Sequence, residues 1–267
     1  MLQAGHAVRE RNESRGELAI PLRALRRLLV AMIVTLTLLS VSWQIAYSLL
    51  QWDWMGSPTR YFDLNRERNL PTWCQGLTLM ACAILLWGIG STVAAAGGRW
   101  SLHWRGLGLV FVYLSLDELF KWHERTIEPL RAWLGLSDHA AGGLLLYAWV
   151  IPGIALVILL GLLFLRFYLS LPRDTQWRFA IAAALLVSGA IGMEIASGRV
   201  QVLYDWGSLP YVAVSHVEEI MEMSGQCLFL LALATHSHRH LGGPLRYGRL
   251  RLAFRPPSID ETRAPKP

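Results

Sequence analysis

The chain has 267 residues, 54% of them hydrophobic and only 16% charged, with 12 tryptophans, a balance outside that of an ordinary soluble globular domain. Its net charge of +6 comes mostly from arginines that flank apolar blocks, which fits contact with anionic lipid and implies no nucleic-acid partner. Cys74, Cys82 and Cys227 all fall inside apolar blocks, where a small buried thiol is commoner than a bridge, so no disulfide framework is implied.

In chain order, residues 1–27 form a polar, arginine-rich, cytoplasmic N-terminus that runs into an apolar block too long for a signal-peptide core, as in an uncleaved signal anchor. The apolar blocks are Leu28–Leu50, Thr72–Ala96, Leu107–Phe120, Leu144–Leu171, Phe179–Ala196 and Tyr211–Thr235. Roughly 20 residues cross a hydrocarbon layer of about 30 Å. The expectation is therefore an all-α, polytopic bundle of about six transmembrane helices over residues 28–236, the third block being the weakest. Most of the 25 Lys and Arg residues fall on the side that holds the two ends of the chain, which places both termini in the cytoplasm of a multi-pass inner-membrane protein. The basic, proline-rich segment 237–267 is expected to be disordered or lipid-associated. His236, His238 and His240 read as solvated residues at its start.

Two outer loops stand apart. Gln51–Pro71 carries aromatic residues beside Asp63, Asn65, Glu67 and Asn69 and ends on Pro71, suited to a first helical turn, as in an ordered interfacial loop. In Arg125–Ala141, Ile127, Leu130, Trp133 and Leu134 recur at helical spacing, as in an amphipathic helix lying on the membrane as a lid.

The chemistry concentrates in three segments: Asp117-Glu118 with Lys121 and His123-Glu124 at the end of the third block, Glu194 in the fifth, and His216, Glu218, Glu219 and Glu222 in the sixth. Under the expected topology all three bring acids to the outer level. Glu222 lies about 16 Å into its helix at 1.5 Å per residue, close to the midplane. An ionised acid there costs on the order of 2.5 to 3.5 kcal/mol on insertion scales. The acids are tolerated if they are protonated, line a wet cavity or coordinate a cation. Accompanying histidines favour a transition metal, zinc or iron. The candidate ligands are His216, Glu219, Glu222, Glu194, Glu124 and His123. The candidate proton-transfer residues are Glu118, Asp117 and Glu218. On a helix, His216, Glu219 and Met223 share one face, and Glu218 stacks on Glu222.

The motifs Asp-Leu-Asn at Asp63, Leu-Pro-Thr-Trp at Leu70, Ser-Leu-Asp-Glu at Ser115 with His-Glu at His123, and Glu-Glu-x-x-Glu-Met at Glu218 resemble those of a broad group of uncharacterised bacterial multi-pass membrane proteins. The resemblance covers most of the second to sixth blocks and implies an architecture, not an activity.

Three functions stand open from the sequence. The first is a metal-dependent membrane enzyme acting on a lipid-like substrate. The second is a proton- or cation-coupled transporter using Glu222 and Glu194. The third is an accessory subunit whose acids meet a membrane-protein partner or a second copy of the chain. Membrane lipids are the one partner common to all three.

Overall fold

The computed structural model describes residues 17–50, 61–66, 68–137, 139–247 and 250–256; residues 51–60 and Glu67 of the first outer loop therefore lie outside the described residues. The chain is mostly helical. Helix α1 spans Leu22–Leu50, α2 Leu70–Ala95, α3 Ser101–Phe120, α4 Trp122–Arg125 and α5 Ile127–Leu134. Helix α6 spans Val150–Leu169, α7 Arg173–Val187, α8 Glu194–Tyr204 and α9 Leu209–His240. A π-helical segment, Ser188–Met193, joins α7 to α8 without interruption. Four stretches are long and apolar enough to cross a membrane: Leu22–Ala46, Leu70–Ala95, Val150–Leu169 and Arg173–Tyr204. Helices α3 and α9, which carry most of the acids, are long but less apolar.

Local chemistry fixes the helix ends. Asn69 caps α2 by accepting from Thr72 N at 3.2 Å, and Pro71 occupies the first turn, where its missing N–H costs nothing. The same Asn69 donates to the backbone carbonyls of Asp63 and Arg66, so the loop end is folded onto the helix start. Ser208 and Pro210 repeat the arrangement at α9. Helix α3 stops because Lys121 adopts a left-handed conformation, φ 51°, which turns the chain into α4.

Helix α2 makes its most extensive contact with α3, and α9 packs on α7, α2 and the π segment. In hydrocarbon, helices associate through close packing, not through expulsion of water. Gly225 of α9 is a point of closest approach: a Cβ there would stand 2.6 Å from the Leu186 amide nitrogen. Buried Cys82, Leu86, Ile89, Phe111, Leu230 and Leu233 form the shared core of α2, α3 and α9. The three cysteines are free thiols. Helix α6 differs from the rest. Its main packing partner is the π segment, and of its residues only Val150 and Phe167 are buried.

The ends of the described chain meet in a three-stranded sheet. Strand β1, Glu17–Pro21, pairs in parallel with β3, Leu250–Arg255, and β3 pairs antiparallel with β2, Leu245–Tyr247. The expectation of disorder from residue 237 onward is corrected over this stretch: α9 runs to His240, and residues 245–247 and 250–255 are strands. Their apolar alternation is too short to read alone. It becomes stable only against β1 and the bundle, where Leu245 and Phe254 are buried. Likewise His236 is not solvated. It is 5% exposed, pairs with Thr175 Oγ1 at 3.0 Å and lies against Trp104, while His240 and Arg239 both meet Asp174 at 3.2 Å. The amphipathic segment between α3 and α6 forms helix α5, with Trp133 exposed.

Tyr247 docks the sheet on the bundle by donating to Ile84 O at 2.8 Å, over Gly88, where a Cβ would collide with the phenol. Gly88→Leu is expected to lower stability by about 1–3 kcal/mol through overpacking, read as a lower melting temperature. Burial pushes the Tyr247 hydroxyl up to about 12 from its ordinary 10.0. Its contribution is therefore intact below the ordinary value and is lost as pH rises to the folded one. In thermal melts across that window, the stability difference between the wild type and Tyr247→Phe is expected to fall steadily.

Candidate functional site

At the end of the bundle away from the sheet, α3, α4, α8 and α9 bring acids onto one cavity of about 1510 Å³. Asp117, Glu118, His123, Glu124, Glu194, Glu218, Glu219 and Glu222 all line it. Convergence of the three acidic segments is thus a property of the fold. His216 is the one candidate ligand that lies elsewhere.

Lys121 stands at the centre. Its Nζ is 3.9 Å from Glu118 Oε1 and 3.7 Å from Glu124 Oε1, and Glu219 and Glu222 act on the same ammonium group. The left-handed backbone at Lys121 lets one residue serve acids on both sides of the break. The same break brings His123 back against α3. Asp117 Oδ2 lies 2.6 Å from His123 Nδ1, and Asp117 Oδ1 accepts from the His123 amide at 3.0 Å. An uninterrupted helix would hold these side chains on different faces. With Nδ1 engaged, His123 presents Nε2 towards Glu124 Oε1, 3.9 Å away.

The remaining acids have distinct surroundings. Gln75 donates to Glu219 Oε2 at 2.6 Å, and Gln226 donates to Gln75 Oε1 at 3.0 Å, forming a polar chain that runs from the cavity into the core between α2 and α9. Glu218 accepts from Ser197 at 2.7 Å and lies within hydrogen-bonding reach of Glu194. Tyr147 donates to Gln201 at 2.6 Å and lies 3.3 Å from the Tyr211 hydroxyl, at the rim near that carboxyl pair. Glu222 faces the cavity and meets no hydrogen-bond donor among the described residues. The π segment abuts it: a Cβ on Gly189 would stand 2.8 Å from Glu222 Cγ. Beside His123, Trp149 Nε1 is buried without a partner among the described residues.

Sequence reasoning did not single out Gln75, Gln226, Ser197, Tyr147 or Tyr211. Two glutamines inside apolar blocks were a readable signal, since a primary amide in hydrocarbon requires a polar partner. His216 shows the opposite error in reading helical phase. Its Nδ1 donates to Val212 O at 2.8 Å, its Nε2 accepts from the Ser40 hydroxyl at 2.8 Å, and Ser40 Oγ accepts from Leu64 N at 3.0 Å. Both nitrogens are occupied in tying α9 to α1 and the outer loop. Met223 follows it into the small core with Leu36 and Leu64. Among the described residues, no group of three His, Cys, Asp or Glu side chains is disposed to hold a metal ion.

Ser40→Ala leaves a buried imidazole nitrogen and a backbone N–H without partners at once. It is expected to cost about 1–3 kcal/mol, measurable by thermal unfolding. Ser40→Thr, which retains the hydroxyl, is expected to cost less.

No curated protein and no solved structure matches the chain. A family described as a domain of unknown function, DUF8692, matches residues 27–237. The match takes in the cavity and its acids and leaves the three strands outside. Because it spans well over half of the 267 residues, the chain belongs to this family.

Proposed function

We propose that this is a multi-pass inner-membrane protein that binds a lipid-like amphiphile and transfers protons at the carboxylate–lysine centre to or from its head group. The observation that carries the reading is a change along the cavity lining. One end holds Lys121 and the acids, and the remainder is hydrocarbon from α3, α6 and α7. A lipid-like molecule presents the same two surfaces in the same order.

In this reading α3 and α9 are spans as well, giving six, because their acids face an internal cavity and not lipid. Arginines support the orientation. Arg23, Arg26, Arg27, Arg173, Arg239 and Arg251 lie at the sheet end, which puts both termini in the cytoplasm and the acids towards the outer face. Lys121 supplies the counter-charge, Glu219 is an acceptor fixed by Gln75, and Glu222, which meets no hydrogen-bond donor among the described residues, exchanges a proton with a bound molecule.

Two other readings keep a specific support. A proton-coupled transporter is favoured by the π segment against Glu222, since such irregular turns recur at functional sites and allow helix rearrangement. A metal-dependent enzyme is favoured by the Asp117–His123 pair, which orients an imidazole as carboxylates do behind metal ligands.

Mass spectrometry of lipid bound to the purified protein separates the readings. The wild type is expected to carry about one equivalent of an amphiphile enriched over bulk lipid, and Glu222→Gln to lose it at unchanged helix content. Identical bulk-lipid profiles for the two proteins reject the proposal. On the same samples, a stoichiometric transition metal lost in Glu124→Ala would transfer support to the metal-dependent enzyme. Uptake into proteoliposomes that collapses with the proton gradient would favour transport.

Lys121→Met is expected to destabilise the protein by about 3–5 kcal/mol, because it leaves acids in a membrane interior without their cation. Adding Glu118→Gln is expected to restore part of that loss in thermal melts.

A further inference from the structure

The cavity continues well beyond the acids. On α3 its lining runs from Glu118 back to Leu107, roughly 16 Å at 1.5 Å per residue. On α6 the lining runs from Pro152 to Tyr168, roughly 24 Å at the same rise, which is most of a hydrocarbon thickness of about 30 Å. Opposite, α7 contributes Ala180 and Ala183, and α6 contributes Gly153 and Gly161, so small residues leave the channel open. A Cβ on Gly161 would meet nothing within 4 Å. Part of the way along, Phe111 stacks on Phe229 at 4.6 Å and Phe179 lies tilted against Phe229 at 4.7 Å. These rings give a hydrocarbon tail an apolar wall.

The wall formed by α6 is loose. Its main packing partner is the π segment, and α3 and α6 both line the cavity, so the passage between them is the route a lipid would take. At the head end, the acids outnumber the cations. Lys121 is shared among several of them, and His123 is engaged by Asp117. The two arginines near the mouth do not reverse the sign: Arg66 pairs with Asp63 at 3.5 Å and Arg68 is exposed. Glu222, without a donor among the described residues, faces the channel just where head and tail would join. An anionic head group would meet like charge there, whereas an ammonium would supply the missing donors.

Resting on the reading that this cavity binds an amphiphile, we propose that its ligand is a lipid with a protonated amine head. It enters sideways between α3 and α6, its head at Glu222 and its tail running along α6 past Phe111, Phe179 and Phe229. The amine follows from the excess of carboxylate at its head, and the tail from the apolar lining beyond it.

The test uses the full chain in phosphatidylcholine nanodiscs and a photoactivatable hexadecylamine carrying a tail diazirine, with labelled peptides located by mass spectrometry. Saturable labelling is expected on α6 and α7 near Gly161 and Ala183. Unlabelled hexadecylamine is expected to displace it at about tenfold lower concentration than hexadecanol or hexadecyl phosphate, a difference of roughly 1.4 kcal/mol. A Cβ at Gly161 has open space on the cavity lining, so Gly161→Trp is expected to abolish labelling at unchanged helix content. Ala183→Phe is the second channel-filling variant. Equal competition by the alcohol or the phosphate overturns the amine head, and labelling unchanged in both filled variants overturns the tail channel. Either result leaves the amphiphile reading standing. Absence of saturable labelling by any of the three head groups would remove both.

Discussion

Lys121 Nζ lies 3.9 Å from Glu118 and 3.7 Å from Glu124, with Glu219 and Glu222 acting on the same charge. Acids of α3, α4 and α9 are thereby tied to a single ammonium group in a region that a membrane protein keeps away from bulk water. Coulomb attraction between such groups is far stronger there than at an exposed surface, and so is the penalty for any acid left without a counter-charge. The backbone is shaped to make this contact. A left-handed residue other than glycine is locally unfavourable, yet at Lys121 it ends α3, starts α4 and places His123 within 2.6 Å of Asp117. One turn of chain thus builds both the lysine centre and the imidazole–carboxylate pair.

Helix α9 shows how a single helix serves different neighbours. Glu218 and Glu222 turn towards α8 and the π segment, where Ser197 and Gly189 receive them. Glu219 turns to Gln75 of α2. His216 and Met223 turn to α1 and the outer loop, where they serve packing. The glutamine chain from Glu219 to Gln226 explains how a carboxylate is held so close to an apolar core: each polar atom passes its hydrogen bond to the next, and the chain stops on α9 itself.

The other end of the bundle follows different physics. There aromatic rings of α3, α6, α7 and α9 pack together, Tyr247 seals the sheet against α2, and His236 is buried beside Trp104 and Thr175. One end of the cavity is thus charged and the rest apolar and aromatic. Helix α6 is its least buried wall, with only Val150 and Phe167 buried.

Much of this was legible from residue order. Apolar block length placed the long helices, Asn69 with Pro71 marked the start of α2, and the depth of Glu194, Glu219 and Glu222 required that the acids meet. These are consequences of local geometry and of solvation cost, which one segment expresses by itself. The partners of each group depended on contacts remote in sequence, which periodicity does not encode. Lys121 as a shared counter-charge, Gln75 under Glu219, Ser40 under His216 and strand β1 beside β3 are separated in sequence, in most cases by more than a hundred residues. His216 and Glu219 lie one turn apart, yet one is structural and the other faces the cavity, because a rotation of some 60° on the helix selects a different neighbour. The sequence by itself determined that acids enter the membrane-facing helices and need company; the tertiary structure alone decided which company each keeps, since hydrogen bonds and ion pairs are set by ångström-scale distances between helices.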